Sequence, residues 1–186
     1  EYLLAHAYRG GFFVDNLTRN ALGKLEPTEN YTETCQYYMF FFRVADKTTN
    51  KELFYKMLNE YGKGRRHGEE EKLAEANMIY GVYMRLELLM REQKRVELLN
   101  ECVRYFYDMT QKTGTLWENN TASASCDHGF ASYVSRFIIY ALFGFDILYP
   151  EKGGAKNGIK LNSEAVLPFK QKTVNLSVLN NIVTVK

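Results

Sequence analysis

The sequence predicts an all-α fold in which helical hairpins form part of an α/α toroid, followed by a short C-terminal β-hairpin. Predicted helices that are apolar on nearly every face alternate with helices that carry one apolar stripe, as inner and outer layers would. The first two apolar helices begin near Tyr31 and Leu73, and this spacing of about 42 residues is that of a stacked helix-turn-helix unit. From residue 174 to 185, apolar and polar residues alternate around a central Asn-Asn pair, which is typical of a β-hairpin.

The predicted helices follow one another in a regular order. Residues 31–46 are apolar all round, and residues 51–62 carry a stripe formed by Phe54, Met57, Leu58 and Tyr61. Residues 73–92 are mostly apolar again, and residues 95–109 return to a stripe formed by Val96, Leu99, Cys102, Val103, Phe106 and Met109. In the last helix, from 128 to 145, helical spacing relates Phe130, Val134, Phe137, Ile138, Ala141 and Phe145. An open solenoid also fits this order, but no repeated consensus links the units, so the toroid is favoured.

Length and composition allow one well-buried core, because the chain has 186 residues of which 46% are hydrophobic. The net charge of +2 comes from intermixed acidic and basic residues, so neither composition nor patterning predicts a nucleic-acid partner. No apolar run approaches the roughly 18 residues of a membrane span. The three cysteines have neither a disulfide nor a metal-ligand spacing, and the sequence predicts no metal and no cofactor.

Two regions are expected: a partial barrel over residues 1–148, and a linker with the β-hairpin over residues 149–186. The chain opens inside a predicted helix, so we expect it to be the C-terminal fragment of something longer. Half of a toroid would expose an apolar inner surface, which predicts self-association or pairing with a missing N-terminal half. The compartment stays unknown from the sequence.

In a toroid the loops that lead into the inner helices meet around a central cavity, and polar residues on them are candidate ligands for a substrate. Asn16 and Asn77 lie on two such loops, although Asn77 also suits the solvated first turn of a helix. Glu33 either complements a helix N-terminus or faces the cavity. Gln36 follows one turn deeper on the same face, where a buried amide needs a partner such as a ligand hydroxyl.

The stretch TLWENNTASASCDHGF, residues 115–130, is the strongest candidate site. The only tryptophan, Trp117, precedes Glu118, and its indole could stack on a sugar and partly desolvate that carboxylate. The alternative is an indole that packs the loop onto the core beside a solvated Glu118. His128 either bonds a substrate hydroxyl or caps its helix. A nucleophilic pair with Cys126 is disfavoured, because residues two apart do not face each other.

The T-x-W-E loop followed by His-Gly at a helix start resembles the late barrel segment of the α-L-rhamnosidase-like six-hairpin glycosidases. Upstream segments such as GFFVDNLTRN and EANMIYGVYMRLELL look similar to preceding parts of the same barrel, particularly in gut-bacterial members. This resemblance implies an (α/α)6 barrel, inverting hydrolysis of a carbohydrate substrate and no catalytic metal. It also implies a periplasmic or extracellular bacterial enzyme of polysaccharide degradation.

By the same resemblance Glu118 matches the general base, and Trp117 and His128 match sugar-contacting residues. The family's general acid lies in an upstream acidic motif that contains arginine, and no residues of this chain match that motif. Glu29 and Glu33 are the remaining acids on the cavity side. The sequence therefore predicts a glycosidase fragment that carries the base without the acid, or alternatively a non-catalytic carbohydrate-binding or scaffold protein.

Overall fold

The structure is a computed structural model that describes residues 2–64, 73–144, 146, 148, 174–178 and 181–185. Its helices are α1 Tyr2–Ala7, α2 Glu33–Phe41, α3 Lys51–Asn59, α4 Ile79–Arg91, α5 Arg95–Thr113 and α6 Val134–Phe143, with a 3-10 helix at Gly129–Tyr133. Its strands are β1 Tyr8–Arg9, β2 Phe12–Phe13, β3 Leu17–Arg19, β4 Leu25–Pro27, β5 Tyr31–Thr32, β6 Leu73–Ala74, β7 Val174–Val178 and β8 Asn181–Val185. None of the described helices is both long enough and apolar enough to cross a bilayer.

The fold is mixed α and β, so the prediction of an all-α toroid is wrong. Four two-stranded sheets accompany the helices in the described ranges. Three of them involve residues 8–32, where the sequence predicted no strand. A segment of that length must find partners for its backbone N–H and C=O groups, and here it pairs with itself and with residues 73–74.

The first hairpin is formed by β1 and β2, which pair antiparallel with Tyr8 opposite Phe13. Gly10 and Gly11 join the two strands with φ values of 58° and 89°. Positive φ at both central residues is what a two-residue hairpin turn needs, and glycine adopts it without a steric cost. The glycine pair therefore reverses the chain shortly after the end of α1.

The starts of α2 and α4 are joined by the parallel pairing of β5 with β6. Thr32, at the end of β5, caps α2, and its Oγ1 accepts a hydrogen bond of 3.0 Å from the backbone N–H of Cys35. Because Leu73–Ala74 is a strand, α4 begins at Ile79 and not at residue 73 as expected.

The C-terminal strands β7 and β8 pair antiparallel with Val178 opposite Asn181, at the position where the sequence places a hairpin. The linker predicted over residues 149–173 lies outside the described residues.

The core lies between α2, α3, α4, α5 and α6, and the apolar stripe predicted for α3 is confirmed. Phe54, Met57, Leu58 and Tyr61 are all buried. The stripe predicted for α5 is wrong in part, since Val96 and Val103 are 65% and 49% exposed. The buried face of α5 is rotated and is formed by Leu98, Glu101, Cys102, Tyr105, Phe106 and Met109.

A buried ion pair between α4 and α5 explains why Glu101 lies on the buried face of α5. The Arg85 guanidinium donates to both carboxylate oxygens of Glu101, through Nε and Nη2, at 2.5 Å each. Its Nη1 donates to the carbonyl of Met57 at 2.6 Å and to the Tyr37 hydroxyl at 3.2 Å. Burial lowers the pKa of Arg85, but Tyr37 and Glu101 raise it more, so the net shift is upward and the guanidinium stays charged.

Glu33 extends this cluster to the two chain segments that flank residues 65–72, which lie outside the described residues. Its Oε1 accepts from the backbone N–H of Gly62 at 3.1 Å. Its Oε2 accepts from the backbone N–H of Ala76 and from the Tyr37 hydroxyl, both at 3.2 Å. We call Glu33, Tyr37, Arg85 and Glu101 the buried polar cluster; it connects α2, α4 and α5 and reaches the end of α3.

We expect Gly62→Ala to lower the free energy of unfolding by about 3–5 kcal/mol, the range for breaking a buried ion pair. A Cβ on Gly62 would lie 2.1 Å from Nε of Arg85, in a backbone with φ of +102°. Gly114→Ala is the control, because Gly114 has φ of +74° and no atom within 4 Å of the added Cβ. It should cost only about 1–2 kcal/mol. Urea denaturation measures both, and equal losses would contradict a tight contact between Gly62 and Arg85.

Candidate functional site

The loop over residues 115–128, here called the TLWE loop, lies against the start of α4. The backbone N–H of Ile79 donates to the carbonyl of Glu118 at 3.1 Å, and Met78 forms a bridge with Asn119. Because β6 lies just before α4 and pairs with β5, the starts of α2 and α4 and the TLWE loop meet at one end of the molecule. Three of the segments singled out from the sequence are therefore brought together.

Backbone hydrogen bonds close the TLWE loop on itself. The N–H of Glu118 donates to the carbonyl of Ser125, and the N–H of His128 donates to the carbonyl of Leu116, both at 2.9 Å. The Thr115 hydroxyl donates to the carbonyl of Cys126 at 2.5 Å. These bonds fix the backbone on both sides of Glu118 and place residue 128 next to residue 116.

Asparagine side chains organise the tip of the TLWE loop. The Asn119 Oδ1 accepts from the N–H and the hydroxyl of Thr121, at 2.9 and 2.6 Å. The Asn77 Oδ1 accepts from the N–H of Asn120 at 3.0 Å. Asn77, predicted as a substrate ligand, thus fastens the loop to the segment before α4, and its carbonyl accepts from the Tyr105 hydroxyl.

The carboxylate of Glu118 makes no hydrogen bond and no ion pair with any described residue, and the residue is half-buried. Its backbone N–H and C=O are both used, at 2.9 and 3.1 Å. A carboxylate with a fixed backbone and unused oxygens is able to accept a proton or a hydroxyl hydrogen bond from a ligand.

Trp117 is 4% exposed and packs against the end of α5. Its indole Nε1 donates to the Thr113 hydroxyl at 2.7 Å, and its backbone N–H donates to Sδ of Met109 at 3.4 Å. The ammonium of Lys112 lies 5.8 Å from the ring centroid. These contacts are those of an indole that packs the loop onto the core, which was the alternative to sugar stacking.

His128 is half-buried and precedes the 3-10 helix. Its Nε2 is buried and has no hydrogen-bond partner among the described residues. The ring lies 5.8 Å from that of Phe130, centroid to centroid. Phe130 is 69% exposed, although the sequence placed it on the buried face of a helix. A 3-10 turn in place of the first α-helical turn rotates it outward, and helical periodicity could not reveal this.

Glu33 and Gln36 are buried, at 1% and 0% exposure, and use their polar groups within the chain. Glu33 belongs to the buried polar cluster. Gln36 accepts from the N–H of Phe13 at 2.8 Å and donates to the carbonyls of Phe13 at 2.8 Å and Thr32 at 3.0 Å. The partner that the buried Gln36 amide needs is thus the backbone of β2 and β5.

Asn16 is exposed, and its Oδ1 accepts from the Thr28 hydroxyl at 2.8 Å. It stabilises the hairpin of β3 and β4, and no described contact links it to the TLWE loop.

Two of the cysteines are protonated packing residues at neutral pH. Burial, assisted by the nearby Asp15 carboxylate, raises the pKa of Cys35 to about 12. Burial, assisted by Glu101, raises the pKa of Cys102 to about 12. The nucleophilic form of cysteine is the thiolate, so neither residue is an activated nucleophile.

Comparison with known proteins identifies no relative, because no family model, no curated protein and no solved structure matches the chain. The resemblance to six-hairpin glycosidases therefore rests on the residues of the TLWE loop and its upstream segments alone.

We expect Trp117→Ala to lower the free energy of unfolding by about 3–5 kcal/mol, since it removes a large buried side chain. Thr113→Val removes the acceptor of the indole N–H together with the bonds of that hydroxyl to Met109 and Thr115, and it should cost about 1–3 kcal/mol. Chemical denaturation measures both variants. Unchanged stability in Trp117→Ala together with lost saccharide binding would instead place the indole on a binding surface.

Proposed function

We propose that the chain is part of an α-L-rhamnosidase-like glycoside hydrolase in which Glu118 is the general base of an inverting reaction. The observation that carries this proposal is the half-buried Glu118 carboxylate, which has no partner among the described residues while its backbone is fixed on both sides. In the reaction this carboxylate would take a proton from the water that attacks the anomeric carbon.

Inverting hydrolysis needs a second carboxyl group, at roughly 6.5–9.5 Å from the base, to protonate the leaving group. Glu33 does not suit that role, because both of its oxygens accept hydrogen bonds from Gly62, Ala76 and Tyr37. Glu29, the other acid named from the sequence, is exposed, and no residues of this chain match the acid motif of the family. The proposal therefore assigns the general acid to a part of the enzyme outside this chain. On this proposal the chain alone binds a saccharide weakly and leaves glycosidic bonds intact.

A second candidate is a carbohydrate-binding or scaffold protein without catalysis. The use of Trp117, Glu33 and Gln36 in packing and internal hydrogen bonds favours a scaffold role without catalysis, because none of these side chains is left to contact a sugar. As a carbohydrate-binding protein, this candidate would bind a saccharide as the first would. Unlike the first, it requires no proton acceptor at residue 118.

We expect methyl α-L-rhamnoside to shift amide resonances of the TLWE loop in a nitrogen-15 labelled sample of the chain. Glu118→Gln should weaken this binding roughly tenfold to hundredfold, the range for losing a hydrogen bond to a charged group. Glu97→Gln is the control, since Glu97 pairs with Lys94 in the first turn of α5, at the opposite end of that helix from the loop. Equal affinities of wild type and Glu118→Gln would exclude a hydrogen bond from the sugar to this carboxylate, and absence of shifts in the TLWE loop of the wild-type chain would contradict the proposal.

Catalysis separates the two candidates. Nitrophenyl α-L-rhamnoside should stay intact with the chain alone and be cleaved by a longer gene product that supplies the second carboxyl group. In that product Glu118→Gln should abolish turnover, since an amide cannot accept the proton. Undiminished turnover would refute the role of Glu118, and binding without hydrolysis in the longer product would favour the second candidate.

A further inference from the structure

A pocket of about 410 Å³ opens between the C-terminal ends of α2 and α4. The TLWE loop contacts the start of α4, so the pocket lies at the other end of that helix. Its volume falls within the range of small-molecule sites, roughly 300–1,000 Å³. None of the residues predicted from the sequence as site residues lines it.

The floor of the pocket is apolar and well packed. Phe40, Phe54 and Leu88 line it, and they are only 4%, 5% and 3% exposed. The rings of Phe40 and Phe54 meet edge to face, with centroids 5.0 Å apart at 71°. Such a floor suits the ring or short chain of an organic ligand and offers it no hydrogen bond.

Three charged groups on the rim, Lys47, Glu92 and Asp46, already have partners. Lys47 donates to Glu92 at 2.6 Å, which neutralises one cation and one anion. The Asp46 Oδ1 accepts from the backbone N–H groups of Thr48 and Thr49, at 2.7 and 2.9 Å. A ligand gains little from groups whose partners are in place.

The two arginines on the rim differ in what they contact. Arg91 donates to the Glu87 carboxylate at 3.2 Å and to the carbonyl of Phe41 at 3.1 Å. The Arg43 guanidinium has no hydrogen bond, ion pair or ring contact with any described residue. Among the described residues of the rim, Arg43 is therefore the one cation without a partner, and it lies above an apolar floor. The five charged lining residues, three cationic and two anionic, sum to one positive charge.

The backbone of Arg43 is strained, with φ of 58°. It occupies the left-handed position after α2, where the N–H of Arg43 bonds the carbonyl of Phe40 and the N–H of Val44 bonds that of Met39. Helices most often place glycine at this position. α5 and α6 do so with Gly114 and Gly144.

The end of α4 provides an internal comparison. Gln93 has φ of 55°, its N–H bonds the carbonyl of Met90, and the N–H of Lys94 bonds that of Leu89. Gln93 thus has the same strained position and the same bonds as Arg43, but it does not line the pocket. The left-handed backbone therefore also occurs away from the pocket, and Gln93 serves as a matched control for Arg43.

We propose that this pocket binds a small organic carboxylate with an aromatic or short aliphatic body, and that Arg43 pairs with the carboxylate. The planar guanidinium matches a carboxylate through two parallel N–H···O bonds. The ring of the ligand lies on Phe40, Phe54 and Leu88. This site is independent of the function proposed for the TLWE loop.

The test titrates benzoate into the labelled chain, beside benzyl alcohol, which keeps the ring without the charge, and inorganic phosphate, which keeps a charge without the ring. We expect benzoate to shift amide resonances around Ala45 and Leu88 and to bind at least tenfold more tightly than either other probe. Equal binding of phosphate and benzoate would show that the site binds anions without recognising a ring. Absence of benzoate-induced shifts would show that no such site exists. Either result would overturn the proposal.

Arg43→Gly and Gln93→Gly form a matched pair of variants. Both relieve a left-handed backbone, so both should raise the melting temperature by about 1–4 °C. Only Arg43→Gly should weaken benzoate binding, by tenfold or more, because only it removes the guanidinium. Unchanged benzoate affinity in Arg43→Gly, or an equal loss in Gln93→Gly, would overturn the role of Arg43.

Discussion

The buried contact between Arg85 and Glu101 is the interaction on which the rest of this structure depends. A guanidinium that is 2% exposed is tolerable in a core only when its donors are satisfied, and here a carboxylate, two backbone carbonyls and a tyrosine hydroxyl receive them. Those partners come from α5, α3 and α2, so the guanidinium fixes where three helices lie around α4. Removing one partner of such a pair leaves an uncompensated buried charge, which typically costs 3–5 kcal/mol.

The buried polar cluster gives Glu33 a structural role that Glu118 does not share. Glu33 accepts hydrogen bonds from chain segments that lie far apart in sequence, at Gly62 and Ala76, and is committed to holding them. Ala76 immediately precedes Asn77, which bonds the tip of the TLWE loop. The cluster thus supports the segment against which Glu118 is held, while the Glu118 carboxylate makes no hydrogen bond with any described residue.

Periodicity in the sequence located the helices better than it located their faces. The stripe of α3 was predictable because all of its buried residues are apolar. The stripe of α5 was not, since the buried position 101 is a glutamate and its partner Arg85 lies on another helix. Charged residues count as solvent-facing in any pattern of hydrophobicity, so a buried ion pair rotates the predicted face toward Val96 and Val103. The short strands of residues 8–32 were not predicted for a different reason. A strand of two or three residues is too short to show the alternation of apolar and polar residues that identifies a strand.

Of the candidate site, the sequence identified the TLWE loop and its association with Asn77, but it could not decide what each polar side chain contacts. That depends on neighbours contributed by distant segments: Thr113 and Met109 for Trp117, and Phe13 for Gln36. Phe130 shows the reverse case, in which a residue expected in the core is exposed beside His128.

The division of roles between the two acids is tested most directly by comparing the unfolding free energies of Glu33→Gln and Glu118→Gln. Each Glu33 oxygen accepts a hydrogen bond from a backbone N–H. In Glu33→Gln the side-chain NH2 would face one of these N–H donors, which should lower the free energy of unfolding by about 1–3 kcal/mol. The Glu118 carboxylate has no described partner, so its amide should change stability by less than about 0.5 kcal/mol. A stable Glu33→Gln beside a destabilised Glu118→Gln would reverse the assignment and contradict the account.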